Sequence, residues 1–166
     1  MPLLRKRLKE VRFLIYGSQI PKEIEDLSSD SVIIKGYVER VSEVFNTCRV
    51  FVAPLQSGAG IKGKVMDALS YGVPCVLSPL AAEGINLRHG QETMLAETPE
   101  EWAAAVAELY RDHALWQKIS ENALDYARNH HSFEQGKKLM RKALETVEIF
   151  PPFETESLVF NKARIN

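Results

Sequence analysis

Cysteine is scarce in this sequence: Cys48 and Cys75 are the only two among 166 residues, and they stand far apart in apolar settings. That excludes a disulfide framework and a Cys-x-x-Cys metal or redox pair, and it points to free buried thiols in a reducing compartment. An excess of charge is lacking as well. The 21 lysines and arginines nearly balance 22 acids, leaving a net charge of −1, so no global basic field argues for nucleic acid. No run approaches the roughly 18 apolar residues of a membrane span. The N-terminus has no apolar stretch behind its charges and no small-residue cleavage site, so no signal peptide is expected. Histidines, cysteines and carboxylates nowhere cluster at metal-ligand spacing, and neither a metal nor a cofactor is expected. The chain reads as cytoplasmic.

What is present is an ordinary soluble composition, 45% hydrophobic and 26% charged, in a length that suits one domain with a single core. The basic cluster Arg5, Lys6, Arg7 and Lys9 reads first as the wet face of a helix that turns Leu4, Leu8 and Val11 inward. Its second reading is contact with an anionic membrane surface, which would make the full-length protein peripheral to the inner membrane face.

Short apolar runs recur along the first half. "VRFLIYG" (11–17), "SVIIKGYV" (31–38), "RVFVAPL" (49–55) and "VPCVLSP" (73–79), with "TMLAE" (93–97) as a weaker member, carry the mark of buried parallel strands. Helical patterns lie between them at 22–28, 40–47 and 61–71. Strands alternating with helices predict a doubly wound α/β domain, a parallel sheet of about five strands covered on both faces.

After residue 97 helices take over. Thr98-Pro99-Glu100-Glu101 is a capping box with proline at the first helical position. The helix it opens carries Trp102, Val106, Leu109 and Tyr110 on one face, and a second carries Leu115, Ile119 and Tyr126. A third, opened by Ser132 and Gln135, is expected to turn Phe133, Leu139, Met140, Leu144 and Val147 inward. Pro151-Pro152 ends it. The expected division is a domain over 1–150 and a tail over 151–166, either loose or an arm on a neighbour.

The stretch "PLQSGAGIKGKVMDALSYG" (54–72) carries the most chemistry. In doubly wound sheets ligands bind outside the carboxyl ends of the strands, and this stretch follows strand 49–55 and leads into helix 61–71. Gly58, Gly60 and Gly63 would let a ligand reach the backbone with no side chain in the way. A helix start adds unpaired N–H groups and the positive end of its dipole, which suits phosphate. Lys62 or Lys64 would add a point charge. Gly58 to Gly63 has the Walker spacing and Lys64 follows, but Val65 stands where a hydroxyl should hold magnesium. The three glycines also match G-x-G-x-x-G, though not after the first strand as a dinucleotide fold requires. A merely tight turn is the alternative. Asp67, nearly two turns into a helix starting near Ile61, suits the two adjacent hydroxyls of a ribose, or else an i,i+3 ion pair with Lys64. His89-Gly90 reads as a turn with a solvated histidine, and His130 and His131 end a helix where cations suit the dipole.

"VFVAPLQSGAGIKGKVMDALSYGVPCVLSPLAAEGI" resembles the donor-site signature of family 4 glycosyltransferases, which have the GT-B fold. "FLIYGSQIPKEIEDL", "VIIKGYVERVSEVFNTCRVFVAPL" and "HGQETMLAETPEEWAAAVAELYRD" resemble that family's neighbouring segments in the same order, so the likeness covers about residues 3 to 148. It implies the C-terminal, nucleotide-sugar-binding domain of an enzyme that moves a sugar from a nucleotide-diphosphate sugar to an acceptor, as a rule with retention and without a metal. On that pattern Tyr37 and Val38 flank the nucleobase. The backbone at Gly60 and Ile61, opening the helix, binds diphosphate with Gly58, Lys62 and Lys64 around it. Asp67 takes the place of the second Glu of the Glu-x7-Glu motif, which holds the ribose.

Two departures stand out. Ala59 occupies the position of the first Glu, which should hold the donor sugar, and Glu83 in "LAAEGI" is the candidate substitute or else a solvent-facing loop acid. The acceptor domain, and an Arg/Lys pair that neutralises the leaving diphosphate, should precede this segment. No residue within it is expected to be catalytic. The rival readings are a nucleotide-sugar-binding module that has lost catalysis, for which Ala59 is the motive, and a different doubly wound phosphate-binding domain.

Overall fold

The structure, a computed structural model, describes residues 1–147; the expected Pro151-Pro152 stop and the tail over 151–166 lie outside the described residues. The elements run α1 (Pro2–Arg7), β1 (Phe13–Tyr16), α2 (Lys22–Glu25), β2 (Val32–Gly36), α3 (Val41–Phe45) and β3 (Phe51–Ala53). There follow α4 (Gly63–Ser70), β4 (Cys75–Leu77), β5 (Met94–Leu95), α5 (Pro99–Arg111), α6 (His113–His131) and α7 (Phe133–Thr146). Met1–His131 form one unit, and α7 belongs to a second.

Every strand pair is parallel, as the alternation of runs and helices predicts. β1 pairs with β2, Phe13 opposite Val32 and Ile15 opposite Ile34. β4 lies between β3 and β5, with Ala53 opposite Leu77 and Leu77 opposite Leu95. The hydrogen bonding divides the strands into a two-stranded sheet, β1-β2, and a three-stranded one, β3-β4-β5. Apolar runs mark where strands form but carry no information about which edges meet, so the single sheet expected from sequence is found in two pieces.

β4 explains the layering. All three of its residues are buried, and successive side chains face opposite ways. Cys75 and Leu77 join a cluster with Val65, Ala68 and Leu69 of α4 and Ala123 and Ala127 of α6. Val76 joins another with Met94, Val106, Leu109 and Ile119, against which Leu4 of α1 and Trp102 pack. Helices therefore cover both faces, the doubly wound arrangement. Burial pushes the Cys75 thiol far above its ordinary range, and Cys48 and Cys75 are both free.

Local chemistry fixes the helix starts. Thr98 Oγ1 accepts from Glu101 N–H, and Glu101 Oε2 accepts from the N–H groups of Thr98 at 3.0 Å and Glu97 at 2.8 Å, completing the capping box. These two bonds hold the Glu101 carboxyl below its usual range. α4 and α6 are held together where Ser120 Oγ donates to Gly72 O at 2.6 Å. Gly72 has φ +66°, and a Cβ there would lie 2.9 Å from Leu124 Cδ1, so both backbone and packing require glycine.

Two expectations need correction. In α7, Phe133, Leu139 and Met140 are exposed, as is Val147 just past its end, and no residue of the helix is fully buried. Their spacing marks an apolar stripe, but a stripe does not say that anything in the same unit covers it. The basic cluster is exposed as read, at Arg5, Lys6, Arg7 and Lys9, though Lys9 lies outside α1. However, α1 ends at Arg7, so the buried Val11 lies beyond it.

Candidate functional site

The glycine loop leaves the carboxyl end of β3 and enters α4, as expected, but the helix opens later than the sequence suggested. Gly58 and Gly60 have φ +131° and +70°, and Lys62 is an extended N-cap at φ −87°, ψ 100°. Those left-handed glycines interrupt the chain, so α4 begins at Gly63, not near Ile61. Gly60 and Ile61 lie in the loop, and Asp67 is one turn into the helix, not nearly two. No side chain caps the start of α4; Val65 and Met66 N–H donate to Lys62 O, which leaves the N–H groups of Gly63 and Lys64 for another partner. A Cβ added at Gly60 or Gly63 would meet nothing within 4 Å. Packing does not explain glycine at either position; the backbone there is simply open.

The two lysines have different fates. The side chain of Lys62 is only 11% exposed. Its stem passes Gly58, whose added Cβ would sit 3.7 Å from Lys62 Cε, and its ammonium donates to Gly60 O and lies 3.9 Å from Glu83 Oε2. Lys64 is exposed, with no hydrogen bond or ion pair to its side chain among the described residues. Asp67 is exposed too, and the alternative, an ion pair between Lys64 and Asp67, is not formed. Its carboxylate therefore stands unpartnered beside the loop.

Glu83 sits in the turn after β4, and that turn is joined to the glycine loop. Gly84, at φ +79°, leaves only 3.4 Å between an added Cβ and Ile61 Cγ1, and Ser78 Oγ donates to Leu55 O at 2.8 Å. The structure thus brings Gly58, Gly60, Ile61, Lys62 and Glu83 into one group, with Lys64 and Asp67 on the adjoining turn of α4. Tyr37 and Val38 follow β2 in the other sheet. Tyr37 is 75% exposed, and no hydrogen bond or ion pair between described residues links this pair to the glycine loop.

A 310 Å³ cavity at the carboxyl ends of β3, β4 and β5 is lined by Pro54, Gln56, Ser78, Glu97 and Trp102 among others. Sequence reasoning did not single out Gln56, Ser78 or Glu97 for a site, and read Trp102 only as a packing residue of α5; the one available signal was the position of Gln56, Ser78 and Glu97 just past the ends of β3, β4 and β5. His89 is not merely a solvated turn residue, because its Nδ1 accepts from Leu95 N–H at 3.0 Å. His131 ends α6 as expected, and burial, aided by His130, holds its pKa below the usual value. Among the described residues no group of three or more His, Cys, Asp or Glu could hold a metal, and no helix is long and apolar enough to cross a membrane.

Comparison with known proteins gives this geometry a lineage. An uncharacterized 44.6 kDa protein in the cps region of Klebsiella pneumoniae is 21% identical over 134 residues, which are 75% of this chain and 34% of that protein. The Anabaena protein HepE, solved in complex with UDP, superposes with a TM-score of 0.73 at 15% identity, covering 88% of this chain and 45% of HepE. The C-terminal domain of a glycosyl transferase group 1 family protein, LpcC of Francisella tularensis, superposes with a TM-score of 0.67 at 14% identity, covering 79% of this chain and 75% of that one. The chain thus spans a third to a half of the longer relatives and most of the isolated domain, and its fold is that of the C-terminal domain of a GT-B glycosyltransferase. The family model for glycosyl transferases group 1 matches residues 1–112, and the chain belongs to that family.

Proposed function

We propose that this chain is the nucleotide-sugar-binding part of a glycosyltransferase, which moves a sugar with retention from a nucleoside-diphosphate sugar to an acceptor held by a domain outside these 166 residues. The observation that carries the reading is the open backbone at Gly60 and Gly63, uncapped at the start of α4, beside the unpartnered Lys64 and Asp67. Open N–H groups at a helix start, with a free cation next to them, suit a diphosphate. Asp67 would accept from the ribose hydroxyls, and the exposed ring of Tyr37, with Val38, would flank the base. HepE was solved with UDP-glucose as well as UDP, which supports a nucleotide sugar as the ligand class.

Ala59 favours a second reading, a binding module without catalysis, because alanine cannot hold the donor sugar where the family carries glutamate. Transfer also needs a closed, water-poor cleft around the developing charge, and the exposed glycine loop is one wall of such a cleft. The proposed setting is the cytoplasm, with α1 available to an anionic membrane surface.

Titration of the chain with UDP, GDP and ADP, followed by amide shifts, tests the binding. Residues 58–64 and 37–38 should move first; shifts confined to 5–9, or none at millimolar nucleotide, overturn the reading. Turnover of a panel of nucleotide sugars should stay near background for this chain and appear when an acceptor domain is fused before it. A fused protein that binds donor and transfers nothing selects the binding module.

A further inference from the structure

Lys62 and Glu83 come from different loops, one leaving β3 and the other leaving β4, and their placement says more than that both line a site. The Lys62 ammonium is turned back onto Gly60 O, its stem lies along Gly58, and Glu83 faces it at 3.9 Å. The neighbouring contact of Ile61 with Gly84 and the bond from Ser78 to Leu55 join the same two loops.

We propose that Lys62 and Glu83 form a clasp that positions the glycine loop, and that Lys64, not Lys62, is the cation left to meet phosphate. The physical case rests on three points. A lysine whose side chain is 11% exposed and already bound to a carbonyl is not free to neutralise a ligand. A loop with two left-handed glycines has many conformations open to it, so something must select one, and a cation bridging a loop carbonyl to a second loop does so. Glu83, 60% exposed, balances the charge that would otherwise lie desolvated against Gly58 and Gly60. Both residues are thus positioning residues, and the inference rests on the diphosphate reading given above.

The experiment compares E83Q, K64A, K62E and the reversal K62E/E83K with the wild-type chain, measuring UDP, UDP-glucose and uridine affinity by calorimetry and amide hydrogen exchange without nucleotide. A half-exposed ion pair is a weak device, so E83Q should weaken UDP binding by about two- to fivefold and leave uridine binding unchanged. K64A should weaken UDP binding and flatten its salt dependence, because a screened charge facing the phosphates has gone from the chain. The reversal restores the ion pair but not the bond to Gly60 O, since a carboxylate at 62 cannot donate to a carbonyl, so it should recover only part of the UDP affinity that K62E loses. In the free chain, exchange at residues 58–63 should quicken in E83Q and in K62E, and the reversal should recover only part of the protection lost in K62E.

Tighter UDP binding by E83Q would make Glu83 a competitor of phosphate and overturn the clasp. Loss of UDP-sugar affinity with unchanged UDP affinity would make Glu83 a sugar ligand and overturn it as well, as would unchanged exchange. Failure of the wild-type chain to bind UDP sinks the diphosphate reading instead, and the exchange measurement still decides the clasp.

Discussion

Replacing Asp67 by alanine separates a ligand contact from a structural one, because the two make opposite demands on affinity and stability. Asp67 is exposed on α4, one turn from its start, and its carboxylate has neither an ion pair nor a hydrogen bond among the described residues. Nothing in the fold is lost when it is removed. The stability change should be within about 0.5 kcal/mol, the range of surface substitutions away from special features. That corresponds to a shift of about 2 °C or less in Tm for a chain of this size. Binding should respond quite differently. A carboxylate accepting from two ribose hydroxyls, at a site open to water, contributes about 1–3 kcal/mol, since hydrogen bonds to charged groups exceed neutral ones. The expected loss in UDP affinity is therefore roughly 5- to 150-fold. Calorimetry with UDP, run beside a thermal melt, checks both numbers. Asp67→Glu, which restores the longer family side chain, should bind at least as well as alanine. Unchanged affinity with a Tm lowered by several degrees would refute the reasoning and make Asp67 a structural residue.

Two further outcomes follow from the packing and the electrostatics. Gly72→Ala must place a methyl 2.9 Å from Leu124 Cδ1 at φ +66°, and it should lose about 1–3 kcal/mol in chemical denaturation; a neutral result would show that α4 and α6 part easily. Glu92 is 6% exposed, and Arg88, as its hydrogen-bonding partner, holds its pKa below the ordinary 4.5. A depressed carboxyl stabilises the fold above its unfolded pKa, and that stability is lost as pH falls through the folded value. Denaturation of wild type should weaken more steeply below pH 4.5 than that of Glu92→Gln, and parallel curves would contradict this assignment.

Much of the fold was legible because single residues settled it. Thr98-Pro99-Glu100-Glu101 specified a helix start by reciprocal bonds that need no tertiary partner. The apolar core of "VPCVLSP" specified a strand buried on both faces. The start of α4 was less legible. Gly58 and Gly60 were read as openings for a ligand, whereas their positive φ also delays the helix until Gly63. The ion pair of Lys62 could not be read at all, because Glu83 is 21 positions away and brought near only by the crossover through β4. The stripe on α7 was recognised as apolar, but what a stripe faces is not a property of its own residues.

The division of the strands has a consequence for how the molecule yields. A two-stranded sheet is marginal by itself in water, and β1 keeps Leu14 39% exposed, whereas every residue of β4 is buried. α1 gives the weaker piece a hold on the rest through Leu4 and through Arg7, whose carbonyl accepts from Arg111. Opening events should therefore begin at β1 and β2 and leave β3, β4 and β5 intact, so the chain is graded in local stability. Tyr37 rides on the part that opens, and the glycine loop on the part that holds. A nucleotide reaching from one to the other would act as a strut across the division, gaining affinity only to the extent that it can keep the looser piece shut.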